Sequence, residues 1–127
     1  MHIDVDVRSR TPIYEQLILR IKELAFRGDV SPDEKLPSVR QLSVELCINP
    51  NTIQKAYAEL ERLGVIYTVA GKGCFISSDT NSLAKEHIEE TQSRLRELIS
   101  EAKASGMPAD RIISLVDGIY RGGKNGD

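Results

Sequence analysis

The sequence predicts a mainly α fold carrying one small β-hairpin, and three observations support that expectation. Two amphipathic segments between Leu36 and Leu63 are joined only by Cys47-Ile48-Asn49. Immediately after them, runs of β-branched and aromatic residues flank Gly71-Lys72-Gly73, a hairpin signal. From about Ser82 the apolar residues recur at helical spacing as far as Ile119. The expected organisation is a compact domain over 1–78 followed by a two-helix tail over 79–127.

Met1-His2-Ile3-Asp4-Val5-Asp6-Val7 alternates apolar and acidic residues, which suits a short strand or an extended arm with Ile3, Val5 and Val7 turned inward. Thr11-Pro12 offers a cap followed by proline, so a first helix is expected from there to about Arg27, before Gly28. Its core stripe is Ile13, Leu17, Ile21, Leu24 and Ala25. The stretch from Gly28 to Lys35, with Pro32 and three acids, reads as a solvent-facing connection. Ser38 can cap the next helix, where Val39, Leu42 and Leu46 form an i, i+3, i+7 stripe. The short link after it forces a sharp crossing of two helices, as in helix-turn-helix units.

The helix expected over Pro50–Leu63 carries the most chemical information. Asn49 can accept a backbone N–H of its first turn, and Pro50 loses no hydrogen bond there. Ile53, Ala56, Tyr57, Leu60 and Leu63 share an apolar face, and Gly64 can take the positive φ that ends the helix. At about 100° per residue, Asn51, Lys55, Ala58 and Arg62 lie opposite, flanked by Thr52 and Gln54. Asn and Gln can pair two-point with adenine, Lys can bond guanine acceptors, and Thr can bond phosphate or pack on a thymine methyl. Ala58 leaves room for a duplex. Taken alone, these residues fit a plain solvated face better than a DNA-reading one. The preceding helix tips the balance, because such a pair presents its second helix to a major groove.

Arg40, near the start of the first helix of the pair, can reach a phosphate, or can instead pair with Glu45 or Glu15. After Gly64, Val65-Ile66-Tyr67-Thr68-Val69 and Cys74-Phe75-Ile76 are the expected strands of a wing. Lys72 between two glycines would bring the backbone and one positive charge to a sugar-phosphate track. The whole is then a winged helix-turn-helix. Its candidate DNA contacts are Ser38, Arg40, Asn49, Asn51, Thr52, Gln54, Lys55, Gly71, Lys72 and Gly73.

These pieces resemble the DNA-binding domain of the GntR family of bacterial transcription regulators. The resemblance rests on Pro12-Ile13-Tyr14-Glu15-Gln16-Leu17, Leu36-Pro37-Ser38-Val39-Arg40-Gln41-Leu42, Asn49-Pro50-Asn51-Thr52-Ile53-Gln54-Lys55-Ala56-Tyr57, Leu60-Glu61, Gly64 and Gly71-Lys72-Gly73. Together they cover about the first three-fifths of the chain. The Asn-Pro-Asn-Thr helix start with a short tail resembles the YtrA-like subfamily in particular. Two residues depart from the pattern: Cys47 stands where the family often has Gly, and Pro50 where many members place a base-reading Arg.

The tail is expected as one helix from about Ser82 to Ser105 and another after Gly106-Met107-Pro108, with Gly122-Gly123 beginning a frayed end. A pair of amphipathic helices cannot hide both apolar faces by itself, so the faces should meet the winged domain, a second copy, or both. The resemblance implies dimerisation through this tail, and Leu95, Leu98, Ile99, Ile112, Leu115, Val116 and Ile119 are the candidate contacts. The expected function is that of a homodimeric repressor bound to an inverted-repeat DNA operator. The alternative is a protein-interaction module on the same scaffold.

Composition agrees with this reading. The chain of 127 residues has a formal net charge of -2, so attraction to DNA must come from a local patch. Arg40, Lys55, Arg62 and Lys72 are its candidate positives, tempered by Glu59 and Glu61. No long apolar run or targeting segment stands out, and a cytoplasmic protein without a membrane partner is expected. Cys47 and Cys74 are too few for a disulfide framework or zinc cluster and read as small buried hydrophobes. Glu86, His87 and Glu90 lie within one helical turn, where a solvated face is a plainer reading than a metal site. No Ser-His or Cys-His set, phosphate loop or paired-cysteine motif stands out, so no catalytic residue, metal or cofactor is expected. No effector ligand is assigned, because two helices offer few walls for a pocket.

Overall fold

In a computed structural model of the chain, residues 1–122 are described. Among them are α1 (Ile13–Phe26), α2 (Val39–Leu46), α3 (Pro50–Arg62), β1 (Ile66–Val69), β2 (Gly73–Ile76), α4 (Thr80–Ala104) and α5 (Ala109–Arg121). The chain forms two compact units, one over Met1–Lys85 and a second starting at Glu86.

In the first unit, Leu17 and Ile21 of α1, Leu42 of α2, Ile53 and Leu60 of α3, and Val65 and Ile76 around the hairpin are fully buried. These are the apolar stripes read from the sequence, turned toward one another. Thr11 does not cap α1. Pro12 stands at the N-cap without a side-chain hydrogen bond, and Gln16 Nε2 instead donates to the Thr11 carbonyl at 2.8 Å. Gln16 Oε1 also accepts the Asp6 N–H at 2.8 Å, which ties the N-terminal arm to α1. The arm forms no strand. Ile3 is buried and Val5 packs partly on the core, but Val7 is 74% exposed rather than inward. The backbone turns there, with the Ser9 N–H on the Asp6 carbonyl at 3.2 Å, so the alternation is broken.

Ser38 and Gln41 form a reciprocal capping box at α2. Ser38 Oγ accepts the Gln41 N–H at 3.0 Å, and Gln41 Oε1 accepts the Ser38 N–H at 2.9 Å. Such a cap contributes about 1 kcal/mol. Cys47 ends α2 in the left-handed region, φ 56°, ψ 46°, a conformation that disfavours a residue with a Cβ. It is exposed, and Cys74 is half-buried, so neither is the buried hydrophobe expected. The helix-ending position turns the Cys47 side chain to the surface.

β1 and β2 pair antiparallel with Ile66 opposite Ile76 and Val69 opposite Gly73. Ile66 and Ile76 face the core, while the rings of Tyr67 and Phe75 stack on the outer side with centroids 5.5 Å apart. The stretch from Gly28 to Lys35 is more than a solvent-facing connection. Val30 is buried, and the end of the stretch adds a third row to the wing. Lys35 bridges Phe75 in antiparallel fashion. Ile76 N–H bonds the Glu34 carbonyl at 2.8 Å, and Leu36 N–H bonds the Cys74 carbonyl at 2.9 Å. A segment this short between Pro32 and Pro37 shows no period-2 pattern to read.

The second unit holds most of α4 and all of α5. Between the helices, Gly106 takes φ 93°, and the Met107 N–H closes on the Ala102 carbonyl at 3.0 Å. This is a glycine-mediated stop of the expected kind. Gly122 is the C-cap of α5, and the frayed end expected from Gly123 lies outside the described residues.

Candidate nucleic-acid interface

The geometry of α3 begins at its cap. Asn49 Oδ1 accepts the Asn51 N–H at 2.8 Å and Pro50 occupies the first turn, which leaves the Asn49 amide N–H groups to donate elsewhere. Asn51, Gln54 and Lys55 are exposed and Thr52 is half-buried, all within the first two turns. The opposite face carries Ile53, Ala56, Tyr57 and Leu60, all buried. Burial of that face sets the rotation of α3 and so determines which polar side chains point outward.

The turn into α3 is held by side chains. Ser43 Oγ donates to the Ile48 carbonyl at 2.7 Å. Tyr57 Oη reaches back from α3 and donates to the Pro37 carbonyl at 2.7 Å. Burial, with a smaller contribution from Cys74, pushes the Tyr57 phenol above its ordinary range, so it remains a donor. Sequence reasoning placed Tyr57 on the apolar face and missed this hydroxyl, which links α3 to the entry of α2. A tyrosine on a core stripe hints at such a bond, since a buried O–H needs an acceptor.

The candidate contacts on α2 and the wing are exposed or half-buried. Ser38 Oγ is an acceptor within its capping box, with its hydroxyl proton left to donate. Arg40 is exposed and makes no ion pair among the described residues, with neither Glu45 nor Glu15. At the wing tip, Lys72 is exposed, its N–H on the Val69 carbonyl at 2.9 Å. Gly71 takes φ 77° and Gly73 φ 121°. Both lie in the region that glycine alone adopts readily.

The positive patch differs from expectation at one residue. Arg62 makes a two-point contact with Glu59, Nε to Oε1 at 2.9 Å and Nη2 to Oε2 at 2.6 Å. The Arg62 hydrogen bond holds the Glu59 carboxyl below its usual range. Glu61 accepts from the Thr68 hydroxyl at 3.2 Å. The positives of the N-terminal half of α3 and of the wing remain, whereas at the C-terminal end of α3 Arg62 is held by Glu59 and Glu61 keeps its negative charge.

The candidate dimer contacts all lie in the second unit. Leu95, Leu98, Ile99, Leu115, Val116 and Ile119 are exposed and Ile112 is half-buried. Ile113, beside them, is 65% exposed. No group of His, Cys, Asp or Glu among the described residues is arranged to hold a metal.

A helix pair joined by a three-residue turn, an outward polar N-terminal half on its second helix and a lysine-tipped wing define a DNA-binding regulator of the winged helix-turn-helix class. The family model of bacterial regulatory proteins of the gntR type matches residues 13–76, and the chain belongs to that family. It is similar to the HTH-type transcriptional repressor YtrA of Bacillus subtilis (strain 168), at 40% identity over 129 residues, 98% of this chain and 99% of that protein. It is similar in structure to a transcriptional antiterminator from Listeria monocytogenes EGD-e, with a TM-score of 0.75 and 37% identity over 95% of this chain and 91% of that one. The DNA-binding domain of AraR, solved in complex with operator ORX1, matches with a TM-score of 0.54 and 28% identity, covering 61% of this chain and 99% of that domain. These relatives are transcription regulators, not enzymes.

Proposed function

We propose that the protein is a cytoplasmic, homodimeric repressor that binds an inverted-repeat operator. One observation carries the reading. The apolar face of α3 is fully covered, while Asn51, Gln54 and Lys55 stand exposed at its start with Arg40 unpaired on the preceding helix. Asn51, Gln54 and Lys55 read base edges, Thr52 contributes a phosphate or thymine-methyl contact, and Ser38, Arg40, Asn49 and the 71–73 tip hold phosphates. The roles divide along the chain, with residues 1–78 for DNA and 79–127 for dimerisation. Leu95, Leu98, Ile99, Ile112, Leu115, Val116 and Ile119 supply the dimer contact. Their exposure supports it, because exposed apolar stripes on two amphipathic helices call for a partner. A twofold dimer then sets two copies of α3 in successive major grooves about 34 Å apart. Repression follows the analogy with the YtrA repressor. Among the described residues no helix is long and apolar enough to cross a membrane.

The test is a fluorescence anisotropy titration of the duplex upstream of the protein's own gene against a scrambled duplex. Preference of about a thousandfold, at two chains per site, is expected. Asn51→Ala should reduce operator affinity by about 1 to 3 kcal/mol and relax discrimination at one base pair. Equal losses on operator and scrambled DNA would remove its base-reading role. Absence of binding to either duplex would favour a protein-interaction module on the winged-helix scaffold.

A further inference from the structure

We propose that Lys35 is a further DNA contact, a second phosphate-binding cation of the wing whose stem lies against the backbone of Gly73. The inference rests on the proposed reading of the wing as a DNA contact. Lys35 bridges Phe75 in antiparallel fashion, and residues opposite one another in such a pair project on the same face. Lys35 therefore shares the outer face of the wing with Phe75 and Tyr67, while its neighbour Leu36 is buried in the core. A long side chain on this face reaches the diagonal position two residues along the partner strand, and here that position is Gly73.

The geometry at Gly73 is close. A Cβ built there would lie 3.0 Å from Lys35 Cε and 3.8 Å from Nζ. The aliphatic stem of Lys35 thus crosses bare backbone, and its ammonium is delivered beside the 71–73 tip that Lys72 already charges. Gly73 takes a φ of 121°, a backbone conformation that favours glycine, and so offers the lysine stem a surface without a side chain. Lys35 is exposed and enters no ion pair among the described residues, in contrast to Arg62. It also lines, together with Arg40 and Gln41, an open groove beside the start of α2. Arg40, Lys35 and Lys72 form a run of cations from α2 to the wing tip, none in an ion pair among the described residues. A lysine ammonium is a compact, strongly hydrated charge suited to phosphate rather than to a base edge, so the contact adds affinity without sequence preference.

The test measures affinity for the upstream duplex and for a scrambled duplex across a salt series, with wild type, Lys35→Gln and Lys72→Ala. Each phosphate contact adds about 0.9 to the slope of log affinity against log salt. Lys35→Gln should lower the slope by about that amount and weaken both duplexes several-fold alike at low salt. Thermal melts of every variant show whether the fold is retained. An unchanged slope in Lys35→Gln beside a lowered one in Lys72→Ala would overturn the role of Lys35 and leave the wing as a DNA contact. Unchanged slopes in both would overturn both.

Discussion

Helices α3 and α5 are each 13 residues long and each carries an apolar stripe, yet the stripes have opposite surroundings. Ile53, Ala56, Tyr57 and Leu60 of α3 are buried, with α1 and α2 packed against the helix. No residue of α5 is buried, and Leu115, Val116 and Ile119 are 58%, 51% and 69% exposed. Both stripes are equally legible as periodicity. What separates them is cover: α3 is enclosed by elements of its own unit, and α5 is not. An amphipathic pattern states that a helix needs a partner and leaves the partner unnamed. The polar faces differ too, since α3 starts with Asn, Thr, Gln and Lys free to point outward, whereas Arg121 of α5 bonds Asp117 on its own helix at 3.1 Å.

The covered stripe should be the more sensitive to loss of volume. Leu60→Ala leaves a cavity where exposure is 0% and should cost about 2 to 5 kcal/mol, read as a lower urea midpoint. A loss no larger than that of a surface substitution would mean that the stripe of α3 is not core. The open stripe should show the reverse behaviour. With the proposed tail dimer, Leu115→Asp should leave the melt of the first unit unchanged, give a monomer in sedimentation at micromolar concentration, and weaken binding to a full inverted repeat more than to a half-site. A dimer that survives the change moves the interface elsewhere.

Two smaller effects sharpen the picture of α3. Tyr57→Phe removes the donor to the Pro37 carbonyl and should lower stability by about 1 kcal/mol. An unchanged urea midpoint would show that the bond contributes nothing net. The smallest effect concerns Glu59, whose carboxyl is held low first by its hydrogen bond from Arg62 and then by the neighbouring positive charges. A carboxylate depressed in the folded state contributes stability that is fully present above its unfolded pKa and lost as pH falls through the folded one. Wild type should lose slightly more stability than Glu59→Gln between pH about 5 and about 3. Parallel acid profiles would remove the pair as a contributor.

Much of the fold was readable because its signals are local. Asn49-Pro50 marked a helix start, Ser38 a cap, Gly64 a stop and Gly71-Lys72-Gly73 a tight turn, each through the backbone chemistry of one or two residues. The misreadings share a cause. Val7 left its alternating pattern at a turn, Cys47 was carried outward by a left-handed cap, and the third row of the wing at Lys35 existed only by pairing with Phe75, forty residues away. Arg62, a candidate positive by its place on the outer face, gives its Nε and Nη2 to Glu59. Side-chain partners of this kind depend on rotamers and distances, which spacing alone does not specify.

The sequence by itself determined the order of the helices and the hairpin, the apolar face of each helix, and the set of polar residues that α3 presents, because periodicity and capping act within a few residues of chain. Tertiary structure decided what those residues have left to offer. Packing against the core orients α3, the Tyr57 hydroxyl joins it to the entry of α2, and ion pairing removes Arg62 from the positive surface while leaving Arg40 uncommitted. It also lays Lys35 across Gly73, a contact between positions far apart in sequence that exists only once the strands are paired. The physical reason is range: a helix is specified by neighbours three and four residues apart, whereas an interface is assembled from side chains whose proximity is a consequence of the fold.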